Sequence, residues 1–188
     1  MQHDDLNEFA LRLTDLANAL AGGDLTALGA LFDLAGPRLQ RYAQALTRNR
    51  DDAEDALQAA MVRVAQHPRK LAAARMPWAY FLRIVRNESL QILQRQRPAV
   101  SLSTVFDLGR SDPQTSEREE FAALVRSAIH QLPAEQAEVV ILKQWEEMTF
   151  AEVAEVIGES PNTIASRYRY ALEKLSRSLE TLVEVSHD

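Results

Sequence analysis

The amino-acid sequence predicts an all-α protein built of two small helical domains. The 188 residues are rich in Leu, Ala, Arg, Gln and Glu, apolar residues recur at three- and four-residue spacing, and no long strand-like alternation is present. A polar stretch at 98–116 has the composition of a linker. We therefore expect an N-terminal helical extension over 1–24, a first domain over 25–97, a linker over 98–116 and a second domain over 117–188.

In the N-terminal half, helix-breaking residues divide the apolar pattern. A first amphipathic helix over 4–21 ends at a Gly-Gly pair, and Asp24 is placed to cap the helix that follows. Because Gly36-Pro37 interrupts the next apolar stretch, we predict two separate helices there, 25–35 and 37–48. The helix over 4–21 is either an added regulatory element or a part that packs on the first domain.

Two longer helices are predicted next, joined by a short cationic segment. The first helix begins at Asp51-Asp52 and ends at His67-Pro68, because the residue before a proline is pushed out of the α region. The segment from Arg69 to Met76 is expected to be a flexible connector. The second helix runs from about Pro77 to Gln96.

In the C-terminal half, three predicted helices have the arrangement of a helix-turn-helix unit. They cover 135–145, 149–157 and the residues from Pro161 to about 178, where we expect the chain to fray. Ser160 can cap the third helix, and Pro161 suits its first position, where no amide donor is needed. Apolar residues define its buried side (Ile164, Tyr168, Ala171, Leu172 and Leu175), so Ser166, Arg169 and Tyr170 should face outward, as a recognition helix requires.

Composition narrows the possible classes of protein. The chain has no cysteine, its four histidines are far apart in sequence, and no Gly-rich loop follows a strand. We therefore expect no metal site, no cofactor and no catalytic group. No run of about 18 apolar residues is present and the N-terminus is acidic, which predicts a soluble, cytoplasmic protein without a signal peptide or membrane insertion.

The distribution of charge matters more than its total. A net charge of −6 argues against nucleic acid only if the chain is taken as a whole. Residues 36–97 contain twelve Lys and Arg against five Asp and Glu, a local net charge of +7, whereas residues 121–188 have a net charge of −5. A basic face on the first domain can attract phosphate despite the negative total.

The helix from Asp51 contains the first candidate binding surface. Its apolar stripe is formed by small and aliphatic side chains (Ala56, Leu57, Ala60, Met61 and Val64), and Asp52, Asp55 and Gln58 lie on the exposed side. These acids near the helix N-terminus are either ordinary capping acids or a docking surface for a basic partner helix.

The helix from Pro77 contains the second candidate surface. Arg83 and Asn87 lie opposite its apolar face, with Arg86 on the flank and Tyr80 beside them. Arginines next to an exposed ring suit single-stranded nucleic acid, because the guanidinium pairs with phosphate and the ring stacks on a base. A solvated face is the plainer alternative, and we expect Trp78 to belong to the core.

Three segments, taken in order, resemble the extracytoplasmic-function (ECF) group of the bacterial sigma-70 family. Residues 51–58 (DDAEDALQ) resemble the motif DAEDLVQE, and residues 83–87 (RIVRN) resemble RIARN. From Leu132-Pro133 onward, the segment EVVILKQWEEMTFAEVAEVIGESPNTIASRYRYALEKL resembles the helix-turn-helix of that group. Together these similarities cover about residues 25–178.

The resemblance implies a region 2-like helical bundle and a region 4-like helix-turn-helix domain in a transcription initiation factor that catalyses nothing itself. It implies binding to core RNA polymerase, with Asp52, Asp55 and Gln58 on the β′ coiled coil and the second domain on the β-flap. The first domain would hold the melted −10 element of the promoter through Arg69, Lys70, Arg75, Tyr80, Arg83, Arg86 and Asn87. The second would read the −35 element in the major groove through Asn162, Thr163, Ser166, Arg167, Arg169 and Tyr170.

The sequence departs from the pattern of the group at several positions relevant to these contacts. Ala59 stands where an acid usually follows the Gln, and Ala165 replaces a basic residue. Tyr170-Ala171-Leu172 replaces RAR, and Glu173 lies where cations are common. Fewer cations weaken the part of the DNA affinity that comes from phosphate contacts, and they make that affinity less dependent on salt.

These departures leave alternatives to an initiation factor. A sigma-like mimic would bind an anti-sigma factor without recognising promoters, and a stand-alone helix-turn-helix repressor would leave the first domain unexplained. The retained Arg83, Arg86 and Asn87 favour the initiation factor.

Overall fold

The computed structural model describes residues 3–96, 124–125, 127–129 and 131–185, and no β-strand occurs among them. The chain divides into two compact units, one formed mainly by residues 1–100 and the other by most of the residues that follow. The predicted all-α fold is therefore confirmed. The linker predicted over 98–116 lies outside the described residues. None of the helices in the described part of the chain is both long and apolar enough to cross a membrane.

The N-terminal unit is a helical bundle. Its helices are α1 (His3–Ala21), α2 (Thr26–Thr47), α3 (Arg50–Gln66), α4 (Pro68–Ala72) and α5 (Pro77–Arg95). Because α2 packs against α1, α3 and α5, and α3 also packs against α5, the core lies between these helices. Its largest fully buried side chains include Leu13, Leu31, Leu39, Tyr42, Phe81 and Leu82.

Helix α1 belongs to this bundle. It packs against α2, α4 and α5, and it buries Leu13, Ala17 and Leu20 along one side. Full burial of a leucine side chain contributes about 1.5–3 kcal/mol to the stability of the fold. The sequence left open whether this helix packs on the first domain, and the structure shows that it does.

The prediction of two helices separated at Gly36-Pro37 is wrong, because α2 continues through both residues. Pro37 lacks the amide that would donate to the carbonyl of Asp33, which by itself destabilises a helix by about 3 kcal/mol or more. Pro37 lies on the exposed side, where water can hydrate that carbonyl, while Ala35 and Leu39 are fully buried. Tertiary packing on both sides of the proline therefore outweighs the local break.

The prediction of a flexible connector from Arg69 to Met76 is also wrong in its first half. Pro68 occupies the first position of the short helix α4, and Leu71 in that helix is 1% exposed. The cations Arg69 and Lys70 are thus fixed on a helix whose buried side is anchored in the bundle. A five-residue helix is hard to recognise in the sequence, because it contains a single buried position.

The C-terminal unit contains α6 (Ala134–Gln144), α7 (Phe150–Ile157) and α8 (Pro161–Val185). Helix α8 packs against α6 and continues past residue 178, where we had expected fraying. Its buried side contains Ile164, Ala171 and Leu175. Leu172, predicted to be buried, is 42% exposed, because one residue after Ala171 the helix has turned by about 100° away from the core.

Candidate nucleic-acid and partner surfaces

Side-chain caps and one glycine determine where the helices of the helix-turn-helix begin. The Thr149 amide donates to the Glu152 carboxylate at 2.7 Å and the Glu152 amide donates to Thr149 Oγ1 at 3.3 Å, a reciprocal capping box before α7. Gly158 then adopts φ +83°, a left-handed conformation that glycine accepts without steric cost. The Thr163 amide donates to Ser160 Oγ at 3.1 Å, so Ser160 caps α8 as predicted.

The structure brings most of the predicted −35 residues onto one exposed side of α8. Asn162, Ser166 and Arg169 follow one another at i, i+4 and i+7, and all three are exposed. Tyr170 is 48% exposed, and the Arg169 guanidinium carbon lies 4.9 Å from the centre of the Tyr170 ring. Thr163 is half-buried, and its hydroxyl lies 2.9 Å from Ser160 Oγ within the cap.

Arg167, the remaining predicted −35 residue, is engaged by acids of its own unit. Its Nη2 lies 3.0 Å from Glu135 Oε2 and 3.3 Å from Glu159 Oε1, and its side chain is 21% exposed. These ion pairs connect α8 to the first turn of α6 and to the turn before α8. The spacing of the sequence gave no signal for the pair with Glu135, which comes from a different helix.

Helix α8 is also supported from its inner side. The Gln144 side-chain amide donates to the Tyr168 hydroxyl, and the rings of Tyr168 and Phe150 meet edge to face with their centroids 5.6 Å apart. The Lys143 ammonium lies 4.7 Å from the centre of the Phe150 ring. Residues at the end of α6 and the start of α7 therefore hold α8 in place, so that its outer side is presented on a rigid support.

On α3, the residue that caps the helix is not one of the acids of the predicted partner-binding surface. We call that surface, formed by Asp52, Asp55 and Gln58, the acidic surface. Asn49 is the N-cap, and its side-chain oxygen accepts from the amides of Asp51 and Asp52 at 2.8 and 3.1 Å. This cap was not predicted from the sequence, although Asn directly before the first turn is a typical cap. Because Asn49 provides the side-chain cap, the carboxylates of Asp52 and Asp55 are not needed for it.

The predicted partner-binding residues on α3 differ in exposure. Asp55 and Gln58 are exposed, whereas Asp52 is half-buried. Asp52 Oδ1 accepts a hydrogen bond from Gln96 Nε2 at 2.7 Å, from the residue that follows α5. The acidic surface is therefore adjacent to the end of α5.

The predicted −10 residues lie on α4, on α5 and on the turn between them. Tyr80, Arg83 and Asn87 share one side of α5 at i, i+3 and i+7; Arg83 and Asn87 are exposed, and Tyr80 is half-buried. Arg86 is half-buried on the flank, and the cations before α5 are exposed (Arg69, Lys70 and Arg75). Trp78 packs against Phe9 of α1 but is half-buried, so it is less enclosed than the core position that we expected.

A surface depression of about 300 Å³ lies beside these residues. Lys70 and Tyr80 line it together with Arg63 and His67, two residues that were not predicted from the sequence to belong to a site. Arg63 Nη2 is 2.8 Å from Glu88 Oε1 of α5. His67 lies at the break between α3 and α4, so helical spacing gave no signal for this lining, which forms because the two helices pack together.

No group of His, Cys, Asp and Glu side chains in the described ranges is arranged to hold a metal ion.

Two family models match the chain. Sigma-70 region 2 matches residues 31–98, and Sigma-70, region 4 matches residues 122–175. The ECF RNA polymerase sigma factor SigL of Mycobacterium tuberculosis is 30% identical over 169 residues, which cover 86% of this chain and 94% of the relative. SigM of the same species is 31% identical over 169 residues, covering 88% of this chain and 83% of the relative.

Solved structures share the fold. The structure of CnrH in complex with the cytosolic domain of CnrY matches with a TM-score of 0.68 at 22% identity, covering 90% of this chain and 98% of that chain. The sigma factor RpoE in complex with the anti-sigma factor NepR from Bartonella quintana matches with a TM-score of 0.59 at 22% identity, covering 79% and 94%. With both regions present in the predicted order and relatives that align over most of its length, the chain belongs to the ECF group of RNA polymerase sigma factors.

Proposed function

We propose that this protein binds core RNA polymerase and directs it to promoters by contacting the −10 and −35 elements. The proposal depends mainly on one observation: the motif residues predicted to bind polymerase and DNA are largely exposed, on separate helices of a fold that contains both sigma regions. The domain limits that we propose are 25–97 and 117–188, joined by a linker over 98–116, with α1 packed on the first domain. Its site of action would be the cytoplasm, with the polymerase.

Polymerase binding is assigned to α3. Asp55 and Gln58 are exposed and Asp52 is half-buried beside them, so this side of α3 presents negative charge to a basic partner helix such as the β′ coiled coil. The capping of α3 by Asn49 supports the assignment, because the carboxylates of Asp52 and Asp55 are not used as the side-chain cap of the helix. A second polymerase contact, between the C-terminal unit and the β-flap, is inferred from the family.

Binding of the melted −10 element is assigned to α4, α5 and their connecting turn. Exposed cations there can pair with phosphates of a single strand (Arg69, Lys70, Arg75 and Arg83), with Arg86 and Asn87 alongside. The depression lined by Lys70 and Tyr80 provides a place where an unstacked base can lie against the Tyr80 ring.

Recognition of the −35 element is assigned to α8 in the major groove. Asn162, Ser166 and Arg169 can donate hydrogen bonds to base edges or phosphates, and Tyr170 offers an apolar ring for a thymine methyl group. Thr163 lies in the capped first turn, where amides and the helix dipole favour a phosphate. We assign Arg167 to the support of α8, because its guanidinium is paired with Glu135 and Glu159.

A second candidate function is a sigma-like mimic that binds an anti-sigma factor and does not recognise promoters. Two solved structures with this fold contain a bound partner, the cytosolic domain of CnrY in one and the anti-sigma factor NepR in the other, which makes an anti-sigma factor a candidate partner of this chain. The net charge of −5 over residues 121–188 also suits a protein partner better than DNA. An anti-sigma factor is equally a possible partner of an active initiation factor.

The deciding experiment combines a pull-down with transcription. The purified full chain is mixed with core RNA polymerase, and the complex then transcribes a pool of genomic fragments, with core polymerase alone as the control. We expect binding and a set of start sites that share spaced −35 and −10 elements. Binding without transcripts would support the mimic, and absence of binding would reject the polymerase assignment.

A further inference from the structure

Phe9, Arg38 and Trp78 bring three helices of the N-terminal unit together at one point. The Arg38 guanidinium carbon lies 4.2 Å from the centre of the Phe9 ring and 5.0 Å from that of the Trp78 ring. The two rings meet edge to face, with centroids 4.9 Å apart and planes at 84°. Arg38 is only 8% exposed, and cation–π attraction is stronger when the cation is shielded from water.

This cluster holds the first turn of α5. Trp78 is the second residue of α5, and Ala79 beside it is 3% exposed. The Trp78 indole N–H is buried and has no hydrogen-bond partner among the described residues, so ring contacts determine where the side chain lies. The proposed −10 residues Arg75, Tyr80 and Arg83 all lie within five positions of Trp78.

Helix α1 supplies one side of the cluster and also supports α4. It contacts α4, whose Leu71 is buried, as well as α5. The segment that matches sigma region 2 begins at residue 31, so Arg38 and Trp78 lie inside it and Phe9 lies outside. A helix outside the matched segment thus touches both helices to which −10 binding is assigned.

We propose that Phe9 is a positioning residue for binding of the −10 element, an inference that rests on the proposed function. By its contacts with Arg38 and Trp78, Phe9 fixes the direction in which α5 begins. That direction determines where Arg75, Tyr80 and Arg83 point relative to the single strand. The acidic surface of α3 and the outer side of α8 do not include this cluster, so polymerase binding and −35 recognition should not depend on Phe9.

Substitutions in the full chain test this separation. Phe9→Ala removes the ring, whereas Phe9→Tyr keeps it at a position that is only half-buried. Leu11→Ala is the matched control, since Leu11 lies on the same helix but is 61% exposed. Each variant is assembled with core polymerase on a promoter selected with the wild-type chain. Polymerase affinity, binding to the −35 duplex and opening of the −10 region are measured, the last by permanganate reactivity of unpaired thymines.

For Phe9→Ala we expect about a tenfold loss in promoter opening with polymerase affinity and −35 binding unchanged. Phe9→Tyr should restore opening, and Leu11→Ala should equal the wild type. Wild-type opening by Phe9→Ala would overturn the proposal, as would a parallel loss of polymerase binding, because Phe9 would then only hold the unit together. A wild-type chain that opens no promoter would instead reject the proposed function. Promoter opening by the wild-type chain is therefore measured before any variant.

Discussion

The two units of the protein differ in how they present positive charge. The N-terminal unit has a net charge of +7 over residues 36–97, and its cations on α4 and α5 are largely exposed. The C-terminal unit has a net charge of −5 over residues 121–188, and on its recognition helix Arg167 is ion-paired with Glu135 and Glu159 while Arg169 is exposed. In an initiation factor, this difference would separate two tasks. The first unit would supply attraction for phosphate, and the second would supply base recognition by a few exposed side chains.

The largest expected effect comes from the acidic surface, which belongs to neither DNA task. Asp55 is exposed and has no part in the cap of α3, so Asp55→Arg should leave the fold intact and replace attraction for a basic partner by repulsion. We expect loss of co-purification with core polymerase at an unchanged melting temperature. Asp15→Arg makes the same charge change at an exposed position of α1 and should retain binding. Retained binding by Asp55→Arg would place the docking surface elsewhere.

Two arginines of α8 test the assignment of base recognition to the second unit. Arg169→Ala should weaken binding to the −35 duplex by about 1–3 kcal/mol and relax the preference at one base position. Arg167→Ala should weaken binding to all sequences alike, because it removes ion pairs that hold α8 in place. Competition binding with a set of single-base variants of the −35 duplex measures both. A changed base preference in Arg167→Ala would show that Arg167 reaches the groove.

The sequence was sufficient at the start of α8, where the determining interactions are local, although the equally local cap of α3 by Asn49 was not predicted. Ser160 and Gly158 located the start of α8, because a cap and a left-handed residue act within a few positions of the chain. Helical spacing likewise predicted that Arg83, Asn87 and Arg169 face outward. Gly36-Pro37 misled the prediction, because the packing of neighbours such as Leu39 against other helices is not a local property.

Contacts between residues that are far apart in the sequence could not be predicted from it. Periodicity tells which side of a helix is buried, but it does not tell which side chain lies opposite. The hydrogen bond from Gln96 to Asp52 joins residues 44 positions apart, and Phe9, Arg38 and Trp78 come from three helices. The supporting residues of the candidate surfaces therefore emerged only from the structure, whereas most of their exposed members were predicted.

Salt dependence tests whether phosphate attraction resides in the first unit. Arg83 is exposed on the proposed −10 side of α5, so Arg83→Ala should weaken promoter binding for all sequences and reduce the salt slope by about 1. Asn87→Ala is the matched control on the same side, and because the amide is neutral its slope should equal that of the wild type. The measurement is the affinity of the polymerase complex for promoter DNA over a range of salt concentrations. An unchanged slope in Arg83→Ala would remove Arg83 from the phosphate contacts.

The smallest effect concerns two hydrogen-bonding groups at helix starts, the Asp24 carboxylate before α2 and the Ser160 hydroxyl before α8. The Asp24 carboxylate accepts from the Thr26 hydroxyl at 2.6 Å and from the Thr26 amide at 3.0 Å, and these hydrogen bonds lower the pKa of Asp24. A carboxyl group with a lower pKa in the folded than in the unfolded chain stabilises the fold above its unfolded pKa, and this contribution is lost as the pH falls through the folded pKa. The deficit of Asp24→Asn in the free energy of unfolding should therefore disappear in acid.

Ser160→Ala should lose about 1 kcal/mol at every pH, because a hydroxyl does not titrate. Urea unfolding from neutral to acidic pH measures both, and a deficit of Asp24→Asn that persists in acid would mean that the cap depends on hydrogen-bond geometry and not on charge.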